Sequence, residues 1–469
     1  MSIFYRPKDG FVGDVIPFYW DGLYHAFYLK APLPPARTGA DGTSYAHLAS
    51  ADLVHWEEWP SVVEPGAPGE PDAVSCWTGS VVEREGVFHL FYTGYAGQGH
   101  PQTICHATSP DLRSWQKDAR NPILRADPRW YESVDWRDPF VFWNPEQGEW
   151  WMLLAARVKD GPTNRRGCIG LAVSPDLEAW EVRPPFWSPR LYYTHECPDL
   201  FQWDGRWVLV FSEFSERIVT RYRMSDTLGG PWVAPADDTF DARAFYAAKT
   251  ASDGRRRFLF GWNPTREGET DEGKWEWGGN LVVHELVPLA NDAIGVKAVP
   301  ELETLFSRRV PLSYRPWLGQ WETRYPASFA AGNTDGGCAA CTLGEMKRAY
   351  QMSLTVSCDS TCAACSVLLK ARPDLEGYHQ LRWEPGRGRV ILDRYPRMER
   401  DQAVLEKPVT VGEDRTLRLK IIVEGSIIVT YVNDAIALSG RAYGFGGHIG
   451  LCAEGGSAVF SEVTVAEIG

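Results

Sequence analysis

Three carboxylates in this chain stand where strand residues are normally apolar. Asp14 lies in "GFVGDVIPFYW", Asp138 in "DWRDPFVFW" and Glu196 in "HECPDLFQW", each near the start of a segment that otherwise reads as an aromatic and β-branched strand. A single carboxylate in such a place is usually a satisfied hydrogen-bond acceptor, and Asp-Pro is often only a turn. Several carboxylates converging on one place repel one another, which raises at least one pKa and keeps that group protonated near neutrality. A protonated carboxylic acid beside an ionised one is the pairing that cleaves an acetal. One group protonates the leaving oxygen, and the other attacks or stabilises the anomeric carbon. Arg137, next to Asp138, is expected to keep that carboxylate ionised and give it a role different from that of Glu196.

These residues can cooperate only if the fold brings them together, and an internal repeat supplies the means. The phrase "SADLVHW" ends at Trp56, "SPDLRSW" at Trp115, "SPDLEAW" at Trp180 and a degenerate "SDTLGGPW" at Trp232, which marks repeated supersecondary units. Hairpin segments accompany them: "YWDGLYHAFYL", "VEREGVFHLFYTG", "WNPEQGEWWMLLAA", "QWDGRWVLVFS" and "ASDGRRRFLFGW". Each unit reads as about four strands, one blade of a β-propeller, and five such blades close around a channel. The recurrent Trp is expected to pack between blades. The innermost strand of each blade lines the channel. Its polar residues therefore converge: Asp14 from the first blade, Trp77 and Ser80 from the second, Arg137 and Asp138 from the third, Glu196 from the fourth, Asp241 and Tyr246 from the fifth.

Beyond about residue 310 the phrase disappears, and segments such as "YQMSLTVS", "SVLLKA" and "TLRLKIIVEGSIIVTYVN" alternate as antiparallel strands. The expected fold is all-β, with a five-bladed β-propeller over residues 1–290, a connector over 291–310 and a β-sandwich over 311–469.

Charge and composition exclude several function classes. Lys+Arg number 48 against 61 Asp+Glu, a net charge of −13 without any basic run, so nucleic acid and anionic membrane are not expected as partners. The opening "MSIFYRPKDG" lacks the apolar stretch of a signal peptide, and a cytoplasmic location is expected. The 10 cysteines read mostly as reduced core thiols. Cys338, Cys341, Cys362 and Cys365 do match the paired C-x2-C spacing of structural zinc sites, with Cys358 a fifth thiol nearby. Small buried residues on paired strands explain that spacing too, and this plainer reading is preferred, with no metal assigned.

The ordered blocks Asp14, "WTGS" at 77–80, "WRDP" at 136–139, "ECPDLF" at 196–201, "FYAAKT" at 245–250, "GW" at 261–262 and the terminal "GLCAEGGSAVFSEVTV" resemble glycoside hydrolase family 32, the β-fructofuranosidases, over nearly the whole chain. The resemblance implies a retaining double displacement that releases terminal β-fructofuranosyl units from a small saccharide. Asp14 would be the nucleophile, Glu196 the general acid/base and Asp138 the stabiliser of the fructosyl hydroxyls, with Arg137 beside it. Trp77, Ser80, His195, Tyr246 and Trp262 would contact substrate, and no metal or organic cofactor is implied. Alternatives are a fructosyltransferase or anhydride-forming relative, a family 43-like arabinofuranosidase or xylosidase, and a non-catalytic sugar-binding propeller. Retention of all three carboxylates weighs against the last. The sandwich is expected to contribute packing, and its surface is the candidate for a homo-oligomer contact. The first block departs from the family's W-M-N-D-P-N-G: here Phe11, Val12, Gly13, Asp14, Val15, Ile16 and Pro17 stand in its place. Donors to the sugar are thereby lost, which leaves the natural substrate open beyond sucrose or plain inulin.

Overall fold

Short strands joined by Gly-containing turns dominate the computed structural model, which describes residues 2–33, 41–290, 292–324, 327–332, 335–397 and 404–469. The first blade is the antiparallel set Gly10–Trp20, Leu23–Pro32, Ser44–Ser50 and Glu57–Val63. The second comprises Ser75–Arg84, Val87–Tyr95, Thr103–Ser109 and Gln116–Lys117, and the third Tyr131–Asn144, Glu149–Val158, Gly167–Ser174 and Glu181–Trp187. The fourth has Glu196–Trp203, Arg206–Glu213 and Val219–Ser225, with an isolated bridge from Met224 to Val233 where an outer strand would lie. Tyr246–Ser252, Arg257–Arg266, Trp275–Pro288 and Ile294–Ala298 make the fifth, and the ring closes where Val12 of the first blade pairs with Gly279 of the fifth.

The repeated phrase builds one local device several times. Asp52, Asp111 and Asp176 each accept backbone N–H groups two and three residues ahead, and the Leu that follows (Leu53, Leu112, Leu177) turns into the left-handed region at φ 65°, 60° and 69°. Those leucines are buried, so the strain of that backbone is offset by core contacts. The Trp then wedges against the preceding blade: Trp115 meets Phe27 edge-on at 5.8 Å, Trp180 meets Phe91 at 5.5 Å and Trp232 lies 5.7 Å from Phe186. Hydrophobic clusters accordingly sit between blades, as a radial fold requires when each sheet can bury a face only against its neighbour.

The C-terminal region is a β-sandwich of an eight-stranded and a seven-stranded antiparallel sheet enclosing one large apolar core. Within the expected connector, Ile294–Ala298 is the outer strand of the fifth blade, Pro300–Leu305 forms 3-10 turns, and Arg308–Arg309 pairs with the sandwich strand Ala458–Glu467. Polar groups tie the two regions together. Arg441 donates to the carbonyls of Asn263 and Pro264, and Lys407 binds Asp237 at 2.7 Å. Among the described residues no helix is long and apolar enough to cross a membrane.

The cysteine quartet suggested by spacing does not assemble. Cys338 lies 3.5 Å from Cys452, Cys341 is buried in the sandwich core, and Cys362 and Cys365 group with Cys358.

Candidate active site

All five innermost strands change register at the residues that matter. The ladder slips between Val12 and Val15, between Trp77 and Gly79, opposite Arg137 to Phe140, between Glu196 and Asp199, and between Tyr246 and Lys249. A β-bulge adds a residue to one strand and re-aims the side chains around it. Asp138, Cys197 and Ala247 adopt positive φ at these points (58°, 49° and 51°), a cost met by the packing around them. The bulges are what allow a strand of alternating inward and outward residues to present a carboxylate to the channel.

Asp14, Asp138 and Glu196 line one cavity of about 480 Å³, together with Trp77, Arg137, Tyr246 and Trp262. Each carboxylate is held differently. Asp14 accepts from Thr78 Oγ1 on one oxygen and from Trp262 Nε1 at 3.0 Å on the other. Asp138 Oδ2 accepts the backbone N–H of Cys197 at 3.0 Å, while the Asp138 N–H donates to Thr93 Oγ1 at 2.8 Å. Glu196 is gripped from both sides, by Arg137 Nη2 at 2.8 Å and by the Tyr246 hydroxyl at 2.6 Å. The Cys197 thiol lies 3.7 Å from Asp14 and 3.8 Å from Asp138, filling the space between the two with an uncharged group.

Arg137 is used otherwise than the sequence suggests. Its strong partners are Glu196 and Asp135, the latter at 2.5 Å, whereas its Nε stays 3.7 Å from Asp138. Burial outweighs that distant guanidinium and raises the Asp138 pKa, with the Glu196 charge adding to the rise. Burial, reinforced by the Asp138 and Glu196 charges, also pushes Asp14 up to about 7, against the lowering effect of its bonds from Thr78 and Trp262. Like-charge crowding thus acts on Asp14 and Asp138, and of these three carboxylates Glu196 is the one that a guanidinium contacts directly.

Other assigned residues fall on both sides of the boundary. Trp77, Tyr246 and Trp262 line the cavity. Ser80 does not: its Oγ accepts the Val141 N–H at 2.9 Å and joins the second blade to the third. His195 is fully buried among Trp187, Tyr192 and Phe211, behind the strand that presents Glu196, so neither is retained as a substrate contact. Asp241 lies away from the channel as well, bonded to Ser439 and His284 where propeller meets sandwich.

Several contributors were not singled out from sequence. Thr78, Cys197, Asp135 and Lys249 sit inside or beside the quoted blocks, so membership of a block was the available signal. Lys249 is buried, donates to the Gly79 carbonyl at 2.9 Å, and has its pKa lowered by burial. Trp275, Glu276, Trp277 and Arg243 complete the cavity wall from the fifth blade and carried no motif. Trp277 bears on the altered first block. A side chain begun at Gly13 would meet its indole at 2.0 Å, so Trp277 occupies the space a residue such as Asn would need.

The fold and the site define a class: a five-bladed propeller with a carboxylate-lined channel and an appended β-sandwich. Residues 5–292 match the model for the glycosyl hydrolases family 32 N-terminal domain, and residues 329–467 match that for the family 32 C terminal. The chain belongs to glycosyl hydrolase family 32. It is 29% identical over 355 residues to a β-fructofuranosidase, insoluble isoenzyme 7, of Oryza sativa subsp. indica, a match that takes in 68% of this chain and 58% of that protein. It is 28% identical over 314 residues to a sucrose-6-phosphate hydrolase of Zymomonas mobilis, covering 61% and 59% respectively. The chain thus aligns with under two thirds of the length of these relatives. The exo-inulinase structure from Aspergillus awamori shares the fold at TM-score 0.77 and 19% identity, covering 100% of this chain and 98% of that one.

Proposed function

We propose that this chain hydrolyses terminal β-fructofuranosyl linkages in short saccharides by retaining double displacement. The observation that carries the proposal is the convergence of Asp14, Asp138 and Glu196 from three blades on one cavity, each at a bulge. Asp14 acts as nucleophile, oriented by Thr78 and Trp262. Glu196 acts as acid/base, with Arg137 and Tyr246 fixing its two oxygens. In the first step Glu196 gives its proton to the leaving oxygen as Asp14 bonds to the anomeric carbon, and in the second Glu196 takes a proton from the water that releases the sugar. Asp138, held by the Cys197 N–H, accepts hydrogen bonds from sugar hydroxyls. The indoles of Trp77, Trp262, Trp275 and Trp277 supply apolar faces for the ring.

One observation favours a second specification of the substrate. Arg243 lines the cavity and, among the described residues, makes no ion pair, its described partner being the Trp275 ring at 5.6 Å. A cationic group in that position suits a saccharide whose leaving portion carries an anion such as a phosphate, the kind of substrate named for the Zymomonas mobilis relative. We also place the protein in a reducing, cytoplasmic compartment, a reading supported by ten cysteines that all stand as free thiols.

A panel of sucrose, phosphorylated sucrose, kestose-type trisaccharides, inulin and levan, with released fructose followed by NMR, tests all of this. Small saccharides should exceed polymers at equal chain ends, and the first product should retain its anomeric configuration. An inverted first product, or no fructose from any substrate, would refute the proposal.

A further inference from the structure

The thiols of Cys358, Cys362 and Cys365 lie within 4.8 Å of one another, with Cys362 and Cys365 sulfurs 3.6 Å apart. Cys358 ends the strand Ala349–Cys358 of one sandwich sheet, and Cys365 lies in Ala364–Ala371 of the other, so the cluster spans both layers. The loop between them is held in advance. Asp359 accepts the N–H groups of Thr361, Cys362 and Ser457, each at 2.9 Å, and the Thr361 hydroxyl at 2.6 Å. Tetrahedral zinc with Zn–S bonds of about 2.3 Å needs sulfurs about 3.8 Å apart, which this loop nearly provides.

Buried thiols can be plain small hydrophobes, as Cys341 is in the same core. The charge nearby distinguishes the trio. Arg415 directs Nη2 at the Cys358 sulfur at 3.8 Å and at the Cys362 carbonyl at 3.5 Å, makes no ion pair among the described residues, and has a buried Nε without a partner. A guanidinium half-buried against neutral thiols is poorly compensated. Three thiolates around a divalent ion carry one net negative charge, which Arg415 balances. Cys358 also borders a surface groove with Asp359, Asp414 and Ser457, so a fourth position is open to water.

We propose that Cys358, Cys362 and Cys365 form a zinc site that clamps the two sheets of the sandwich, with solvent as the fourth ligand. Metal binding displaces the thiol protons to solvent and involves no redox change. This departs from the reading by spacing alone, which preferred buried thiols, and it uses a different set of cysteines.

The test uses the full chain, purified reduced. Metal analysis should find about one zinc per chain, and cobalt(II) added to the stripped protein should give thiolate-to-cobalt charge-transfer absorption. Cys362→Ser should abolish both, whereas Cys341→Ser, outside the trio, should keep both. Should Cys362→Ser fail to fold, Arg415→Gln retains every sulfur and should weaken zinc binding by about tenfold. Absence of cobalt–thiolate absorption from the reduced wild type, a Cys362–Cys365 disulfide as its resting form, or equal loss of zinc in Cys341→Ser would each overturn the proposal.

Discussion

Asp14, in the innermost strand of the first blade, and Asp241, ahead of that of the fifth, are both walled by protein, yet they stand in opposite electrostatic states. Asp241, in the seam between propeller and sandwich, accepts from the Ala242 N–H at 2.6 Å, the Ser439 N–H at 2.8 Å and the Ser439 hydroxyl at 2.6 Å, and lies 3.1 Å from His284 Nε2. Burial alone would raise its pKa, but these partners together hold it below the ordinary carboxylate value. Asp14, in the channel, has a hydroxyl, an indole N–H and a weak thiol donor, faces two further carboxylates, and is pushed up to about 7. A carboxylate that serves structure is saturated with donors. The proposed nucleophile is left short of them, so that a reacting carbon can compete for its lone pair.

The largest effect should come from separating these two aspartates. Asp14→Asn should cut turnover by about 10⁴-fold or more on every substrate while stabilising the fold by on the order of 1 kcal/mol, because a disfavoured charge is removed. Asp241→Asn should do the reverse, destabilising by about 3 kcal/mol while the folded fraction keeps turnover within about threefold of wild type. Calorimetry beside initial rates checks both, and the comparison fails if Asp241→Asn inactivates a fully folded enzyme.

Next in size, Glu196→Ala should lose about 10³-fold on substrates with sugar leaving groups but far less of the first step on a nitrophenyl fructoside, which departs without protonation. Added azide should restore turnover on the activated substrate and give a product of retained configuration. A uniform loss on both substrates, without azide rescue, would remove Glu196 from the acid/base role.

The pH dependence sharpens the contrast because the two signs differ. Asp14 has a raised folded pKa, so its ionisation weakens the fold progressively as pH rises between the ordinary carboxylate value and about 7. Asp241 has a depressed folded pKa, so its contribution is present above the ordinary value and is lost as pH falls through the folded one. Melting curves against pH should therefore lose the first slope in Asp14→Asn and the second in Asp241→Asn. On the proposed roles, the wild-type kcat/KM profile should contain a limb with a midpoint near 7 that reports Asp14. Thr78→Val, which removes a hydrogen bond to Asp14, should move that midpoint up by about one pH unit. The smallest effect is expected at Ser80, whose hydroxyl serves the Val141 N–H: Ser80→Ala should cost about 1 kcal/mol of stability and leave KM unchanged.

Much of this architecture was readable because it is repetitive. The Ser-x-Asp-Leu phrase encodes a turn that depends on residues within a few positions of each other, and it recurs with a Trp placed to wedge against the preceding blade. The three carboxylates were legible because a charged residue heading an apolar strand is costly and so calls for a reason. His195 lies next to Glu196 and Ser80 lies in the same block as Trp77, but both face elsewhere, since strand neighbours point to opposite sides and a bulge changes the count. Trp277 and Arg243 could not be assigned to the site, because the segments that carry them show ordinary composition and reach the channel only after the ring closes.

The sequence by itself determined the blade number, the all-β class and three of the channel carboxylates, Asp14, Asp138 and Glu196, since periodicity and misplaced charge are local properties of the chain. Tertiary structure alone decided which group each carboxylate meets: Arg137 turned to Glu196 and Asp135, Asp241 was drawn into the domain seam, and the thiols sorted into a trio that spacing did not predict. The physical reason is that hydrogen bonds and charge pairing are settled within a few ångströms, and at that range the outcome depends on bulges, on backbone at positive φ and on the packing of one sheet against another.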